Sequence, residues 1–235
     1  MKTVSIITVT QYSRRKCLAN LQTLIESQTM FDSIIEWVIV EGSPNNIDVM
    51  KNKEIIQKIF FDHPIKYIEV PEIRAISNLR NAGNYHCSGD IIVCMDDDDY
   101  YFPTYIAECV LKLEYSGKQI AGCTNPFMFC YRSNTLYKIK GFSPNHSTNN
   151  CMAYTQKYLE NHSHHPNLFY AEETSFTNGF TEDMVQLDPS KTIIVSCHYA
   201  NTVNKTEFCK SNNLYEIKHS IGLDKIIEKM RSILK

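Results

Sequence analysis

Residues 89–103 read GDIIVCMDDDDYYFP, and this stretch decides how the rest of the chain is interpreted. A short apolar run between a glycine and a polar cluster predicts a buried β-strand over 91–95. The strand ends in four consecutive aspartates, at 96–99, whose charges repel one another. A hard divalent cation, Mg²⁺ or Mn²⁺, relieves that repulsion and keeps coordination positions open for a phosphate. The alternative is a solvated acidic turn or a helix N-cap, since aspartate favours both.

The residues before this stretch predict an alternation of strands and helices. Runs rich in β-branched and apolar residues predict further strands at 4–10, 34–40 and 65–70. Helical spacing of apolar residues predicts helices at 14–29, 48–61, 75–87 and 103–116. This order predicts an α/β fold with a doubly wound, mainly parallel sheet and helices on both faces. Ligands of such sheets bind at the carboxyl ends of the strands, where these strands carry polar residues.

The second half of the chain is less regular. Strands are predicted at 119–124, 127–131, 135–139 and 193–197. The segment 141–170 is rich in Asn, His, Ser and Pro, which predicts a loop or lid with a helix near 153–160. Residues 214–235 have the spacing of an amphipathic helix. We expect this helix to pack on the core, and a homodimer formed through it is the alternative.

Bulk composition argues against several function classes. The chain has 235 residues, 43% of them apolar, and a net charge of −2, which gives no electrostatic case for nucleic-acid binding. No apolar stretch approaches membrane-spanning length, and the N-terminal stretch is too short and too polar for a signal peptide. Nine scattered cysteines without CxxC spacing predict reduced, mostly buried thiols. We therefore expect a cytoplasmic protein.

Several motifs follow one another between residues 3 and 104. They are TQYSR at 10–14, WVIVEGS at 37–43, RNAG at 80–83, GDI at 89–91 and DxDDxxxP at 96–103. Together these motifs resemble the family 2 glycosyltransferases, which have the GT-A fold. The chain departs from that family's usual pattern at three places: Glu41 stands for an aspartate, Gln11-Tyr12 for a Tyr-Asn pair, and Asp97 for a small residue.

The resemblance implies a domain organisation. We expect one GT-A domain over 1–210, with a nucleotide-sugar-binding half at 1–117 and a smaller, mixed acceptor-side half at 118–210. The C-terminal amphipathic helix, at 211–235, follows it.

The resemblance also implies an activity. It is the metal-dependent, inverting transfer of a sugar from a nucleoside-diphosphate sugar, with a UDP-sugar favoured, to a hydroxyl of a glycan or other acceptor. Mn²⁺ or Mg²⁺ is the implied cofactor. A non-catalytic nucleotide-sugar-binding or scaffold protein of the same fold is the alternative. A nucleotidyltransferase is disfavoured, because the segment after the first strand contains basic residues but no glycine.

The aspartates receive different expected roles. Asp98 is the first candidate for the direct metal ligand, Asp96 is the second, and Asp97 is expected at the ribose hydroxyls. Asp99 is expected to cap the helix that Pro103 begins. His198, after the last strand, is either a metal ligand or a structural histidine.

The other donor-binding candidates lie on the strand ends and helices. The expected contacts are Thr8 and Thr10 with the edge of the base, Glu41 with a base N–H, and Arg74, Arg80, Asn81 and Lys205 with the diphosphate or ribose. The alternatives are an exposed turn carboxylate for Glu41, a helix-surface salt bridge for Arg80 and helix packing for Asn81.

An inverting transfer requires a base that takes a proton from the acceptor hydroxyl. The resemblance favours Glu173 and then Glu172, an acidic pair that opens a helix, with Asp183 as the runner-up. The histidines at 162–165 suggest metal binding, but their loop has no cysteine or carboxylate partners. A solvated loop or an acceptor-site lid is the favoured interpretation of that segment.

Overall fold

The computed structural model describes residues 2–70, 75–199, 201, 205, 208, 211–217 and 221–233. Its strands are β1 (Val4–Thr10), β2 (Ile34–Glu41), β3 (Ile65–Glu69), β4 (Ile91–Cys94), β5 (Tyr100–Tyr101), β6 (Ile120–Gly122), β7 (Phe127–Cys130), β8 (Thr135–Ile139), β9 (Ala153–Thr155), β10 (Met184–Gln186), β11 (Ile193–Cys197) and β12 (Leu214–Glu216). Its helices are α1 (Arg15–Glu26), α2 (Asn46–Ile56), α3 (Ile76–His86), α4 (Tyr105–Ser116), α5 (Gln156–Leu159), α6 (Glu172–Phe176) and α7 (Ile221–Ile233).

The larger sheet has the strand order β10-β6-β9-β4-β1-β2-β3 among the described residues. β1 lies between β2 and β4 and pairs with both in parallel, so the carboxyl ends of these strands meet at one edge. β9 runs antiparallel between β4 and β6, and the other neighbours are parallel. The predicted α/β class with a mainly parallel sheet is confirmed, and every element predicted over 4–116 forms, with shifted ends.

Helices cover both faces of the larger sheet, as predicted. Successive residues of a strand point to opposite faces. Ile6 of β1 belongs to one buried cluster with Leu21 of α1 and Tyr105 of α4. Ile7 belongs to the other buried cluster, with Leu79 of α3. Burial of apolar residues on both faces is the reason that the strands of this sheet are nearly all apolar.

A glycine lets α3 approach the sheet closely. A Cβ atom at Gly83 would lie 2.2 Å from Cδ1 of Ile7 and 2.9 Å from Cγ2 of Val40. Only a residue without a side chain fits there, so α3 rests directly on β1 and β2. The same helix carries Arg80 at the edge of the sheet where β1 and β4 end.

The smaller sheet is mixed and has the order β12-β8-β7-β11-β5. It receives β5 from the first half of the chain, whereas β6, β9 and β10 from the second half extend the larger sheet. The two halves of the chain therefore interlock, and the predicted boundary at 117 falls between elements of one continuous sheet.

The C-terminal segment differs from its prediction. Residues 214–216 form β12, which pairs antiparallel with β8, and the helix α7 begins only at Ile221. A strand forms first because the edge of β8 offers backbone hydrogen-bond partners that a helix starting at 214 would leave unpaired. Ile227 and Met230 of α7 are buried in the main core. A homodimer through α7 remains a prediction.

Two general features of the chain complete the description. No helix in the described ranges has both the length and the apolar character needed to cross a bilayer. Eight of the nine cysteines fall within these ranges, and all eight are buried without a disulfide bond.

Candidate active site

The polar ends of the strands surround one cleft of about 500 Å³. Its charged lining consists of Arg14, Arg80, Asp96, Asp98, Asp99, Glu172, Glu173 and Lys205. Apolar and aromatic side chains form much of the remaining lining, among them Met128, Ile139, Phe142, Phe169, Tyr170 and Val195. A concave site with a few convergent charged groups and an apolar remainder is typical of a ligand site.

Three side-chain nitrogens converge on Asp98. Its Oδ2 accepts hydrogen bonds from Arg14 Nη1 at 3.0 Å and from Asn201 Nδ2 at 3.1 Å, and lies 3.1 Å from His198 Nε2. Burial raises the pKa of Asp98, but the Arg14 guanidinium and the His198 hydrogen bond outweigh it and hold the pKa below its usual value. Asp98 is thus a carboxylate at neutral pH.

Asp97 lies beneath Arg14 and is fully buried. Its Oδ2 accepts a hydrogen bond of 2.6 Å from Thr10, and its Oδ1 lies 3.3 Å from Arg14 Nε. Burial, opposed by Arg14, raises the pKa of Asp97 to about 7. The predicted contact of Asp97 with the ribose, and of Thr10 with the base, therefore requires a rearrangement and stays a prediction.

Asp96 is held by an arginine fork. Arg80 donates to both oxygens of Asp96, from Nη1 at 2.7 Å and from Nη2 at 3.0 Å. Such bidentate pairs fix orientation as well as charge. Arg80 is also buried and its Nε lies 3.6 Å from Glu172 Oε1, so it forms a buried link between Asp96 and Glu172 and not the alternative helix-surface salt bridge. Its contact with the diphosphate or ribose stays a prediction.

Asp99 does not cap a helix, so that expectation is wrong. It is buried, and it accepts from the backbone N–H of Ser196 at 2.7 Å and from Asn150 Nδ2 at 2.5 Å. The strand β5 follows it directly, and the residue before α4 is Thr104. Asp99 therefore joins β4 to β11, and burial raises its pKa to about 7.

His198 and Lys205 lie beside the aspartates. His198 follows β11 and is nearly buried, with its ring against Tyr131. In an octahedral site with bonds of about 2.1 Å, neighbouring ligand atoms are about 3 Å apart. The 3.1 Å between Asp98 Oδ2 and His198 Nε2 fits that spacing. Lys205 lines the cleft and donates to the carbonyl of Ser196 at 3.1 Å.

The two candidate bases open α6, as predicted. Ala171 precedes them with a φ of 52°, a left-handed conformation that turns the chain sharply into the helix. Glu172 is buried between Arg80 and Asn149, whose Nδ2 donates to it at 3.3 Å. Burial and the neighbouring Glu172 raise the pKa of Glu173 to about 7. A carboxyl group with such a pKa can accept a proton near neutral pH.

Asp183, the runner-up for the base, lies outside this cleft. Its side chain is 79% exposed and pairs with Lys118 at 2.7 Å. The histidine segment is only partly solvated: His165 is exposed, but two other histidines pack against aromatic rings. His164 is buried and stacks on Phe176 at 4.3 Å, with burial lowering its pKa to about 4, and His162 stacks on Tyr158 at 3.8 Å.

Two of the donor-binding candidates have other partners in the structure. Thr8 is fully buried, donating to the carbonyl of Met95 and accepting from the Trp37 indole, so it has no surface to present to a base. Asn81 forms two hydrogen bonds with the backbone of His164 and so serves packing rather than the diphosphate. Arg74 lies outside the described residues.

Glu41 is not an exposed turn carboxylate. It is 1% exposed and accepts from the Ser43 N–H, from Asn52 and from Tyr67, at 2.6 to 2.7 Å. These bonds hold the turn after β2 in place. Its predicted contact with a base N–H stays a prediction.

Two site residues were missed by sequence reasoning. Arg14 stands in the motif TQYSR but was given no role, and Asn201 follows β11 without a motif of its own. Both contact Asp98. The run of basic residues directly after β1, at the binding edge of the sheet, was the available signal for Arg14.

The sequence of this chain is similar to those of known glycosyltransferases. The model of "Glycosyl transferase family 2" matches residues 5–175. A curated relative, "Uncharacterized glycosyltransferase YwdF" of Bacillus subtilis (strain 168), is 30% identical over 111 residues. That match covers 47% of this chain and 38% of the relative.

Two solved structures are similar in fold. S. aureus TarS 1-349 in complex with UDP-GlcNAc has a TM-score of 0.66 at 13% identity, covering 85% of this chain and 60% of that one. The mannosyltransferase PcManGT from Pyrobaculum calidifontis, in complex with GDP-Man and Mn²⁺, has a TM-score of 0.64 at 12% identity. It covers 99% of this chain and 70% of that one. The chain thus spans little more than half of TarS 1-349 and less than half of YwdF.

Proposed function

The chain belongs to glycosyltransferase family 2 and has the GT-A fold, and from that premise we propose that it transfers a sugar from a nucleoside-diphosphate sugar to an acceptor hydroxyl. The transfer proceeds with inversion and depends on a divalent cation. The observation that carries this proposal is that one cleft is lined both by Asp98, whose Oδ2 lies 3.1 Å from His198 Nε2, and by Glu173.

The residues present fit a divalent cation. Asp98 is a carboxylate whose oxygen lies at ligand spacing from the His198 imidazole. Among the described residues, no three His, Cys, Asp or Glu side chains are grouped as a metal site. Asp98 and His198 would hold such an ion, and phosphate and water would supply its other ligands, as is common for Mg²⁺ and Mn²⁺. When bound, such an ion neutralises the charge that develops on the diphosphate leaving group.

The protein's own residues supply the rest of the chemistry. Glu173 accepts the proton of the acceptor hydroxyl while that oxygen attacks the anomeric carbon and the bond to the diphosphate breaks. Its raised pKa makes the carboxylate a stronger base than an ordinary glutamate. Arg80 bridges Asp96 and Glu172, which fixes the distance between the two sides of the cleft.

A UDP-sugar is the donor that we favour, with Mn²⁺ or Mg²⁺ as cofactor and a glycan or other hydroxyl compound as acceptor. We also infer a reducing compartment, the cytoplasm, because the described cysteines are buried thiols.

A donor panel tests the proposal. The protein is incubated with Mn²⁺ and UDP-, GDP- or dTDP-sugars, and release of the nucleotide is measured with and without acceptors. We expect release from one nucleotide class and a loss of at least about a hundredfold for Asp98→Ala. The matched control is Asp62→Asn, an exposed carboxylate on the loop before β3. Absence of release from every donor, in wild type and Asp98→Ala alike, contradicts the proposal.

A further inference from the structure

Arg14 is a charged side chain of the cleft to which the proposed chemistry gives no role. It ends the short turn after β1, and its side chain is only 13% exposed. Its Nη1 donates to Asp98, and its Nε faces Asp97. The charge of this guanidinium therefore lies between the two carboxylates.

The pairing of Arg14 with Asp97 is incomplete. Both Arg14 Nε and Asp97 Oδ1 are buried, yet neither has a hydrogen-bond partner of acceptable geometry, although they are 3.3 Å apart. A buried donor and a buried acceptor left unsatisfied each cost free energy. Arg14 is thus held against Asp97 by charge and not by a hydrogen bond, and a divalent cation can replace that charge.

The hydrogen bonds to Asp98 show which group must leave. Three nitrogen donors, on Arg14, His198 and Asn201, converge on its Oδ2. A neutral imidazole can present a lone pair instead of an N–H, and an amide can present its oxygen. A guanidinium has only donors and stays protonated, so it cannot share Oδ2 of Asp98 with a cation that binds this oxygen beside His198.

We propose that Arg14 is an internal counter-ion that competes with the divalent cation for Asp98 and, once displaced, pairs with the diphosphate of the donor. This inference rests on the proposed function, in which Asp98 holds the cation. Arg14 lines the cleft, and the guanidinium fork matches phosphate oxygens in a bidentate manner.

The proposal has a thermodynamic consequence. A cation that binds alone displaces Arg14 without offering it a new partner, which leaves two positive groups side by side. A cation that binds with a nucleoside diphosphate gives Arg14 an anionic partner. The wild-type protein therefore binds cation and nucleotide with positive coupling, part of which comes from Arg14.

Binding of Mn²⁺ alone tests the competition, with the electron paramagnetic resonance signal of unbound Mn²⁺ as readout. Arg14→Gln should raise the affinity for Mn²⁺ alone by about tenfold. The same variant, at saturating Mn²⁺, should bind UDP or GDP about tenfold more weakly. Arg14→Lys keeps the charge and should stay near wild type for Mn²⁺. Arg15→Gln is the matched control, because Arg15 is exposed and lies over the Tyr12 ring, and it should change neither affinity.

A second variant covers the case in which Arg14→Gln does not fold, as judged by circular dichroism. Arg14→Gln combined with Asp97→Asn removes one positive and one negative group, so it leaves no uncompensated charge at Asp97. It should show the same gain in affinity for Mn²⁺ alone.

The outcomes separate this inference from the proposed function. Suppose that both variants bind Mn²⁺ alone no more tightly than wild type does, while the variants and wild type all bind it in the presence of nucleotide. Arg14 is then not a competitor, and the metal role of Asp98 stands. If no form binds Mn²⁺ even with nucleotide, the metal role fails, and this inference fails with it.

Discussion

Two walls of the cleft carry carboxylates with different partners. The aspartate wall consists of residues 96–99 with Arg14 and His198, and the α6 wall consists of residues 169–173. On the aspartate wall, Asp96 and Asp98 are paired with arginines, and Asp99 is tied to Ser196 and Asn150. On the α6 wall, burial and the charge of Glu172 raise the pKa of Glu173 to about 7.

The difference teaches how one site can hold charge and move a proton. Asp98, whose pKa Arg14 and His198 hold below its usual value, stays ionised and fixed, which suits the binding of a cation and a diphosphate. A carboxyl group that burial and a like charge push towards neutral pH suits proton transfer. Arg80 belongs to both walls, because it contacts Asp96 and Glu172.

The largest expected effect, on kcat, comes from a substitution in the α6 wall. Glu173→Gln should reduce kcat about a thousandfold, because the amide cannot take the acceptor proton, while the donor affinity is unchanged. Initial rates and nucleotide titrations measure the two quantities. Asp183→Asn is the matched control and should be as active as wild type, since Asp183 lies outside the cleft. Full turnover in Glu173→Gln together with a loss in Asp183→Asn would reverse the assignment.

Removing the link between the walls should have the next largest effect. Arg80→Met leaves Asp96 and Glu172 without their cation, which should lower the free energy of unfolding by about 3 kcal/mol. Urea denaturation measures it. Lys118→Met, which breaks the exposed pair with Asp183, should lower it by less than about 1 kcal/mol. Equal losses in the two variants would show that Arg80 is not a buried structural link.

A smaller effect is expected at Gly83, which lets α3 pack closely on β1 and β2. Gly83→Ala places a methyl group against Ile7 and Val40, and the resulting overpacking should lower the free energy of unfolding by about 2 kcal/mol. Alanine favours helices over glycine by about 1 kcal/mol, so a stabilised variant would show that α3 can shift away from the sheet. Urea denaturation distinguishes the two results.

The smallest expected effect concerns the raised pKa of Glu173, in contrast to the lowered pKa of Asp98. The base must be deprotonated, so kcat/KM should rise with pH up to about 7 and then level off. Glu172→Gln removes the like charge beside Glu173 and should move this midpoint to lower pH, although Arg80 also faces the pair. Nucleotide affinity measured over the same pH range is the control. A midpoint that stays in place in Glu172→Gln contradicts the assignment of Glu173.

Much of the fold follows from local patterns. Apolar strands alternating with amphipathic helices predicted every element over 4–116, because burial on one or both faces leaves a period in the sequence. The strands β5, β9, β10 and β12 were not predicted, since they are two or three residues long and form only through partners distant in the chain. The start of α7 was misplaced for the same reason.

The site divides in the same way. By itself, the sequence determined that four aspartates end a buried strand and that an acidic pair opens a later helix, because these features are contiguous. Only the tertiary structure decided what each carboxylate does: Asp96 pairs with Arg80, Asp98 with Arg14 and Asp99 with Ser196. Identical neighbours in the chain differ because the turn between β4 and β5 brings each one to partners from distant elements, and these partners set its charge and burial.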